Sequence, residues 1–249
     1  MGSIGRFAAI AVTLTGVLAS PGAASGEAAG EWTHSVVLYG MGAAIDGEAE
    51  AGGLTVPVDM GISEVFDALE MGAMAAWRAD NGTWSVTTDA TFMGLGGTAS
   101  TEGGRVEGDL DFDQMTLMAT VGRRWTDHLE VLFGLAYFDL SGELAVSGPV
   151  GERRAGIGVD WIDPTVGLAY SRPFAEKCRL NLRGDVGGFG VGSDLLVHLL
   201  ASVRWQASPR VGVVAGYRVI RFDYADDGHA AQRYDLTEQG PAIGLAFSF

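Results

Sequence analysis

From Trp32 to the final residue, Phe249, apolar residues recur at every second position through segments of about 10–15 residues. A period of two assigns each residue set to one face of a strand, so this pattern folds as sheet or not at all. In Cys178–Phe189 one face carries Cys178, Leu180, Leu182, Gly184 and Val186, and the other Arg179, Asn181, Arg183 and Asp185. In Leu195–Trp205 the apolar set Leu195, Val197, Leu199, Ala201, Val203 and Trp205 opposes His198, Ser202 and Arg204. Leu129, Val131, Phe133, Leu135 and Tyr137 oppose Glu130, Gly134 and Ala136, and Ile243, Leu245, Phe247 and Phe249 alternate with small residues. After the first two dozen residues no apolar run approaches the ~20 residues of a membrane-crossing helix.

The segments fall at 33–45, 69–80, 83–96, 108–123, 128–140, 157–172, 177–190, 194–206, 211–224 and 235–249. Tight connections (Asp80-Asn81-Gly82, Trp125-Thr126-Asp127, Pro173 to Glu176, Ala207-Ser208-Pro209) alternate with longer ones at 46–68, 97–107, 141–156 and 225–234. Asn81-Gly82 is the clearest hairpin signal, because both residue types tolerate positive φ. The expectation is all-β: a transmembrane, antiparallel, up-and-down β-barrel of ten strands, with eight as the alternative. In hydrocarbon no backbone group can stay unpaired, so such strands must close on themselves. Trp32, Trp77, Trp84, Trp125, Trp205 and Phe249 all fall at the short-turn end, as an interfacial aromatic girdle requires; Trp161 does not. Pro164 and Pro241 interrupt strands, and the phase of the alternation slips between Phe112 and Met115 and blurs after Val219. Bulges near the outer rim would absorb all of these.

Composition narrows the setting. With 31 Asp+Glu against 16 Lys+Arg the net charge is −15, which repels a nucleic-acid backbone. A hydrophobic content of 47% is too high for an acidic disordered chain, and 19% charged residues is low for a soluble domain. Residues 1–25 read as a secretory signal peptide: Arg6, an apolar run from Phe7 to Ala19, then Ser20 to Ser25, leaving 26–249 as the barrel domain. Removing that leader takes away Arg6 and no acid, so 15 basic residues face 31 acidic ones and the charge becomes −16. The lone Cys178 forms no internal disulfide, which fits an exported, self-sufficient barrel.

In the last third the residues become specific. Gly184-Asp185-Val186-Gly187-Gly188-Phe189-Gly190-Val191-Gly192-Ser193-Asp194, then Gly216-Tyr217-Arg218, Asp223-Tyr224, Gly240-Pro241 and Gly244 to Phe249 resemble a group of bacterial outer-membrane β-barrel proteins. Trp161 to Tyr170, with Asp163-Pro164, fits the same group, and Val58 to Glu70 matches more loosely. The resemblance implies a fold and a bacterial outer-membrane location, since most of the group lacks an assigned activity. Phe249, with apolar residues at alternate positions before it, also looks like the signal through which barrel assembly machinery takes up its substrates.

On a barrel the alternation puts Arg78, Asp89, Glu130 and Asp163 in the lumen, with Arg179, Arg183 and Asp185 on the seventh strand and His198 and Arg204 on the eighth. Arg218 and Glu238 complete the set. Charges inside a membrane segment must face water or a partner. Two roles follow: ion pairs that fill and rigidify the cylinder, or a polar path that biases which small solutes cross. In the first long loop Ile62, Val65, Phe66 and Leu69 stand at helical spacing, with Ser63 as a cap, giving a short helix at the mouth or on the rim.

Site chemistry is otherwise sparse. The histidines lack metal-ligand spacing, no nucleophile elbow is present, and no cofactor or metal is expected. His198 and Ser202 share a face four residues apart, roughly 13 Å along a strand and too far for proton transfer. The run Asp109, Asp111, Asp113 with Glu107 reads as solvated rim charge rather than a cation site. The Gly-rich stretch 184–194 lacks the Lys-Ser/Thr and helix of a phosphate loop. The expectation is a monomeric, non-enzymatic barrel in contact with outer-membrane lipid, structural or a narrow passive pore for small polar solutes. A soluble secreted binding barrel and an outer-membrane hydrolase are the alternatives.

Overall fold

The computed structural model describes residues 30–51, 54–100, 107–148, 151–226 and 232–249; the expected leader, 1–25, lies outside them. The elements in chain order are β1 (Thr33–Met41), β2 (Ala44–Ala51), β3 (Leu54–Met60), α1 (Ile62–Ala68), β4 (Leu69–Asp80), β5 (Trp84–Ser100), β6 (Glu107–Arg124), β7 (Leu129–Gly148), β8 (Gly151–Ala175), β9 (Cys178–Gly188), β10 (Leu195–Gln206), β11 (Val211–Asp226) and β12 (Gln232–Ser248). Ten of the strands form a closed antiparallel ring, β1-β4-β5-β6-β7-β8-β9-β10-β11-β12, shut by pairing of β1 with β12 from Ser35↔Ser248 to Met41↔Ala242. The hairpin β2–β3 is additional to the ring. Closure through the last strand leaves no free edge at membrane depth on that side.

Three of the expected short connections hold their places, while the one expected at Pro173 to Glu176 shrinks to Glu176-Lys177 because β8 runs on to Ala175; Asn81 caps its turn by accepting from the Thr83 and Trp84 amides at 3.0 and 2.7 Å. The long connections are shorter than expected. β7 and β8 continue as a ladder to Gly148↔Gly151, so the expected loop 141–156 is mostly hairpin. β5 reaches Ser100, and β11 and β12 extend to Asp226 and Gln232. A 25-residue strand such as β8 is about 80 Å long, more than twice the 9–11 residues that cross a bilayer, so the ring rises well beyond the membrane at its long-loop end.

The connection expected as loop 46–68 holds β2, β3 and α1. β2 continues the line of β1 along β12: Met41 faces Ala242, and after a break at Gly42-Ala43, Ala44 faces Gln239. Among the described residues β3 pairs only with β2, and an edge strand tolerates Pro57. The β1–β4 ladder stops at Tyr39↔Met74, and above it α1 contacts β2, β3 and β5. Its Val65 is buried in the interior, while Ile62 and Phe66 face outward. Gly61, not Ser63, precedes the first helical turn, with its amide bonded to Glu64 Oε2 at 2.7 Å.

No bulge absorbs the prolines. Pairing runs unbroken through Leu135↔Pro164 and Tyr217↔Pro241. Each proline instead sits where its other neighbour ends: β9 stops pairing with β8 at Thr165↔Gly187, and β1 gives way to β2 opposite Pro241. A missing N–H costs little where no acceptor stands opposite. Gly240 belongs to the same break, since a Cβ there would strike the Gly42 carbonyl.

The expected bulges between Phe112 and Met115 and after Val219 are likewise absent, because β6 and β11 keep constant register with both neighbours. What changes is the interior. Towards the short turns, small and polar residues point in and Phe133, Leu135, Leu168, Leu199, Ile243 and Leu245 point out. Towards the long loops, Phe112, Met118, Phe138, Leu140, Trp161, Ile220, Phe222, Tyr234 and Leu236 form an apolar core, and the outward positions become Asp113, Asp139, Asp160 and Arg221. One end has the polarity of a membrane barrel and the other that of a water-soluble one, so hydrophobicity changes phase along strands that stay regular. Trp161 departs from the girdle for this reason: it stacks on Phe138 and Tyr224 at 4.9 and 4.3 Å between ring centroids.

Candidate functional site

The change of polarity divides the interior. Below the apolar core lies a chamber of ≈ 1140 Å³, lined among others by Arg78, Asp89, Glu130, Arg179, Arg183, His198, Arg204 and Arg218. Each sits on an inward position of its strand, at the end where the tight turns are. Asp163, Asp185 and Glu238 are buried but do not line it.

The ions sort by strand. On the β4–β7 side Arg78 Nη2 reaches Asp80 at 2.7 Å and Glu130 at 2.8 Å, and Arg124 Nη2 reaches Asp80 at 2.8 Å. Two cations and two anions balance there. At the chamber roof Arg218 pairs with Asp89 at 3.0 Å and donates to the Tyr39 hydroxyl, which is also 2.9 Å from both Asp89 oxygens. Asp185 accepts from Arg183 Nε at 2.6 Å and lies 3.0 Å from His198 Nδ1. Gly167 makes room for it, since a Cβ there would meet the Asp185 carboxylate.

Arg179 and Arg204 differ. They face each other across β9 and β10, and among the described residues no ion pair joins either to a carboxylate. Arg179 donates only to Ser171 Oγ at 3.3 Å, and Arg204 to Gln206 and Ser248 at 3.1 and 2.9 Å.

Between chamber and core a band of polar side chains closes on itself. Gln114 donates to Glu238 at 2.6 Å. Asp163 accepts from the Ser193 amide and hydroxyl, both at 2.7 Å, and from Trp161 Nε1 at 3.0 Å. This explains the Gly-rich stretch. Gly188, Phe189 and Gly190 have positive φ (87°, 54° and 72°), which folds the β9–β10 turn so that Ser193 reaches Asp163. At Gly192 a Cβ would lie 2.6 Å from the Ile162 carbonyl and 2.8 Å from Asp163.

Alternation alone missed Tyr39, Arg124, Gln114 and Ser193. Tyr39 and Gln114 occupy inward positions of strands already assigned, so parity could have found them; Arg124 lies one residue past the expected end of its strand at 123, and Ser193 is brought in by a turn and left no periodic signal. The Trp32, Trp84, Trp125, Trp205 and Phe249 rings are exposed at the short-turn end and Trp77 is partly so, with His34 stacked between Trp77 and Phe249 at 5.8 and 5.9 Å. His198 and Ser202 are both buried, but among the described residues no hydrogen bond joins them; the histidine's partner is Asp185. Among the described residues no His, Cys, Asp and Glu group has metal-binding geometry.

No protein-family profile and no curated protein matches the chain. Solved structures do. The outer-membrane protease OmpT of Escherichia coli is similar at a TM-score of 0.51 and 11% identity, over 88% of this chain and 97% of that one. The translocator domain of the autotransporter NalP of Neisseria meningitidis gives 0.46 and 16%, over 90% of each chain. The attachment invasion locus protein Ail of Yersinia pestis gives 0.36 and 13%, over 88% and 98%. At such identities the likeness concerns the fold: an outer-membrane-type β-barrel.

Proposed function

We propose that the protein is an integral outer-membrane β-barrel, built as a closed structural barrel and not as a continuously open pore. Its short-turn end faces the periplasm, and its long-loop end rises from the outer surface. The observation that carries this reading is the apolar core in the long-loop half. Met118, Phe138, Leu140, Leu196 and Phe222 are almost fully buried there, in a cross-section that a polar solute would have to traverse. A ten-stranded cylinder is narrow enough for side chains to fill, and this one is filled at one end only. The polar half is therefore a vestibule entered from the periplasm.

The belt of outward Leu, Ile, Val and Phe meets lipid, and the aromatic rings at its lower edge meet the headgroups. The expected leader delivers the chain across the inner membrane, and the strand ending in Phe249 is its handle for the assembly machinery; the barrel works as a monomer. Cell fractionation combined with heat-modifiable gel migration tests this. The full-length protein should pellet with outer membranes and migrate faster unheated than boiled, and deletion of Phe249 should abolish both. Recovery as soluble periplasmic protein would overturn the proposal.

A further inference from the structure

Charge is distributed against the trend of the whole molecule. The chain carries −15, yet the chamber is bordered by eight Arg or Lys side chains and five Asp or Glu. The excess is local. The β4–β7 wall is balanced, and Arg183 and Arg218 have carboxylate partners, which leaves Lys177 and Arg210 in the turns at the rim and, on the strands themselves, Arg179 and Arg204. Direct cross-strand neighbours have Cα atoms about 4.5–5.5 Å apart, and two like charges at that spacing on one face destabilise a sheet. Together the two guanidiniums offer ten N–H donors, of which the protein uses three. The nearby groups on the adjoining strands are the neutral Ser171, Asn181, Ser202, Gln206 and Ser248.

Deeper in the chamber His198 borders the space with its side chain 4% exposed, and its Nε2 has no hydrogen-bond partner. Buried polar atoms are normally satisfied, so an orphan beside an open cavity marks a place for a ligand atom or water. Paired guanidiniums with unused donors at the mouth describe a receptor for an oxyanion, because the planar fork of arginine matches carboxylate and phosphate oxygens two at a time; His198, six residues from Arg204 along β10 and so about 20 Å deeper, is a separate polar point beyond the reach of one small anion held there.

We infer that the Arg179–Arg204 pair forms an anion-binding site inside the vestibule, which takes a free, small, multiply charged oxyanion of the phosphate or polycarboxylate type from the periplasmic side. The core above makes the chamber a blind pocket, so the anion is held and not passed on. The entry side rests on the orientation proposed above; the site itself does not. An anion between the guanidiniums removes the like-charge conflict, so binding and barrel stability are coupled.

The test is calorimetric titration of the refolded full-length barrel in an uncharged detergent with inorganic pyrophosphate and, separately, citrate. The expected result is saturable binding at one site, weakened at least tenfold by Arg179→Gln and by Arg204→Gln and unchanged by Arg221→Gln, whose side chain pairs with Asp235 on the outer wall. Without anion the first two variants should melt higher than the parent, and only the parent should gain when pyrophosphate is added. Arg179 is exposed, so its variant keeps the comparison intact even if Arg204→Gln does not fold. A parallel titration in nanodiscs of anionic or zwitterionic phospholipid separates the sources: a free anion binds equally in both, whereas a lipid headgroup as the true occupant lowers pyrophosphate affinity only in the anionic discs and overturns the assignment to a free ligand. Absence of saturable binding, or binding indifferent to both arginines, would overturn the site. Neither result depends on membrane orientation, so failure here leaves the outer-membrane reading standing.

Discussion

Replacing Phe138 with Ala probes the apolar core at its centre. Phe138 is 0% exposed and stacks on Trp161 and Phe222 at 4.9 and 5.3 Å between centroids. Removing a buried Phe costs about 3–5 kcal/mol through lost transfer energy and the cavity left behind, and each broken aromatic pair contributes about 0.5–1.5 kcal/mol to such losses. Five residues away, Phe133 is 60% exposed on the outer wall. Its truncation forfeits lipid contact and opens no internal cavity, so about 1–2 kcal/mol is expected, below full side-chain burial. Urea titration of reversible refolding into phosphatidylcholine vesicles, followed by tryptophan fluorescence and by the fraction of fast-migrating band, measures both. Phe138→Ala should lose at least about twice as much stability as Phe133→Ala. Equal losses, or a larger loss at Phe133, would refute the inward-facing core.

Asp163→Ala removes the acceptor for Ser193 and Trp161 and should cost about 1–3 kcal/mol, with amide exchange accelerated at residues 189–194 and unchanged in the β5–β6 ladder. Asp113 stands on the outer wall above the lipid belt, where desolvation first and then Asp111 and Asp139 raise its affinity for a proton. With the folded-state pKa above the unfolded one, folding is favoured below that range and penalised as pH rises through it. Asp113→Asn should therefore raise the melting midpoint at pH 7, lose that advantage as pH falls below the unfolded-state value, and shrink in high salt. Glu130→Gln strips the shared carboxylate from Arg78 and Arg124, which are about one-third exposed; after allowance for that screening the loss is about 1–2 kcal/mol, read as a lower urea midpoint.

The lower barrel was legible from residues such as Leu129 to Tyr137, where lipid outside and polar groups inside give hydrophobicity its period of two. The same rule misread Phe112, Met115 and the residues after Val219. Polarity there is set by water outside and core inside, so a reversed phase resembles a bulge. The pattern records which face is apolar and not which face is inward, and a tall barrel uses both solutions. The β2–β3 hairpin escaped because the inward positions Ile45, Gly47 and Ala49 of β2 are mostly small and its outward ones, Asp46, Glu48 and Glu50, are acidic. That composition reads as loop until a neighbouring strand, β12, supplies the ladder. Pro164 and Pro241 looked like faults in single strands and are explained only by where the adjacent strands end. The arginines were legible one by one, but not their partners: which guanidiniums pair with carboxylates depends on which strands lie side by side.

Single-channel recording of the purified, refolded protein in a planar bilayer tests the closed barrel most directly. The proposed closed barrel predicts no sustained ion current for the native chain, because Phe138, Trp161 and Phe222 are buried and packed on one another in the interior, with steps appearing once Phe138 and Phe222 are both replaced by Ala. A stable open conductance from the unmodified barrel would contradict the account.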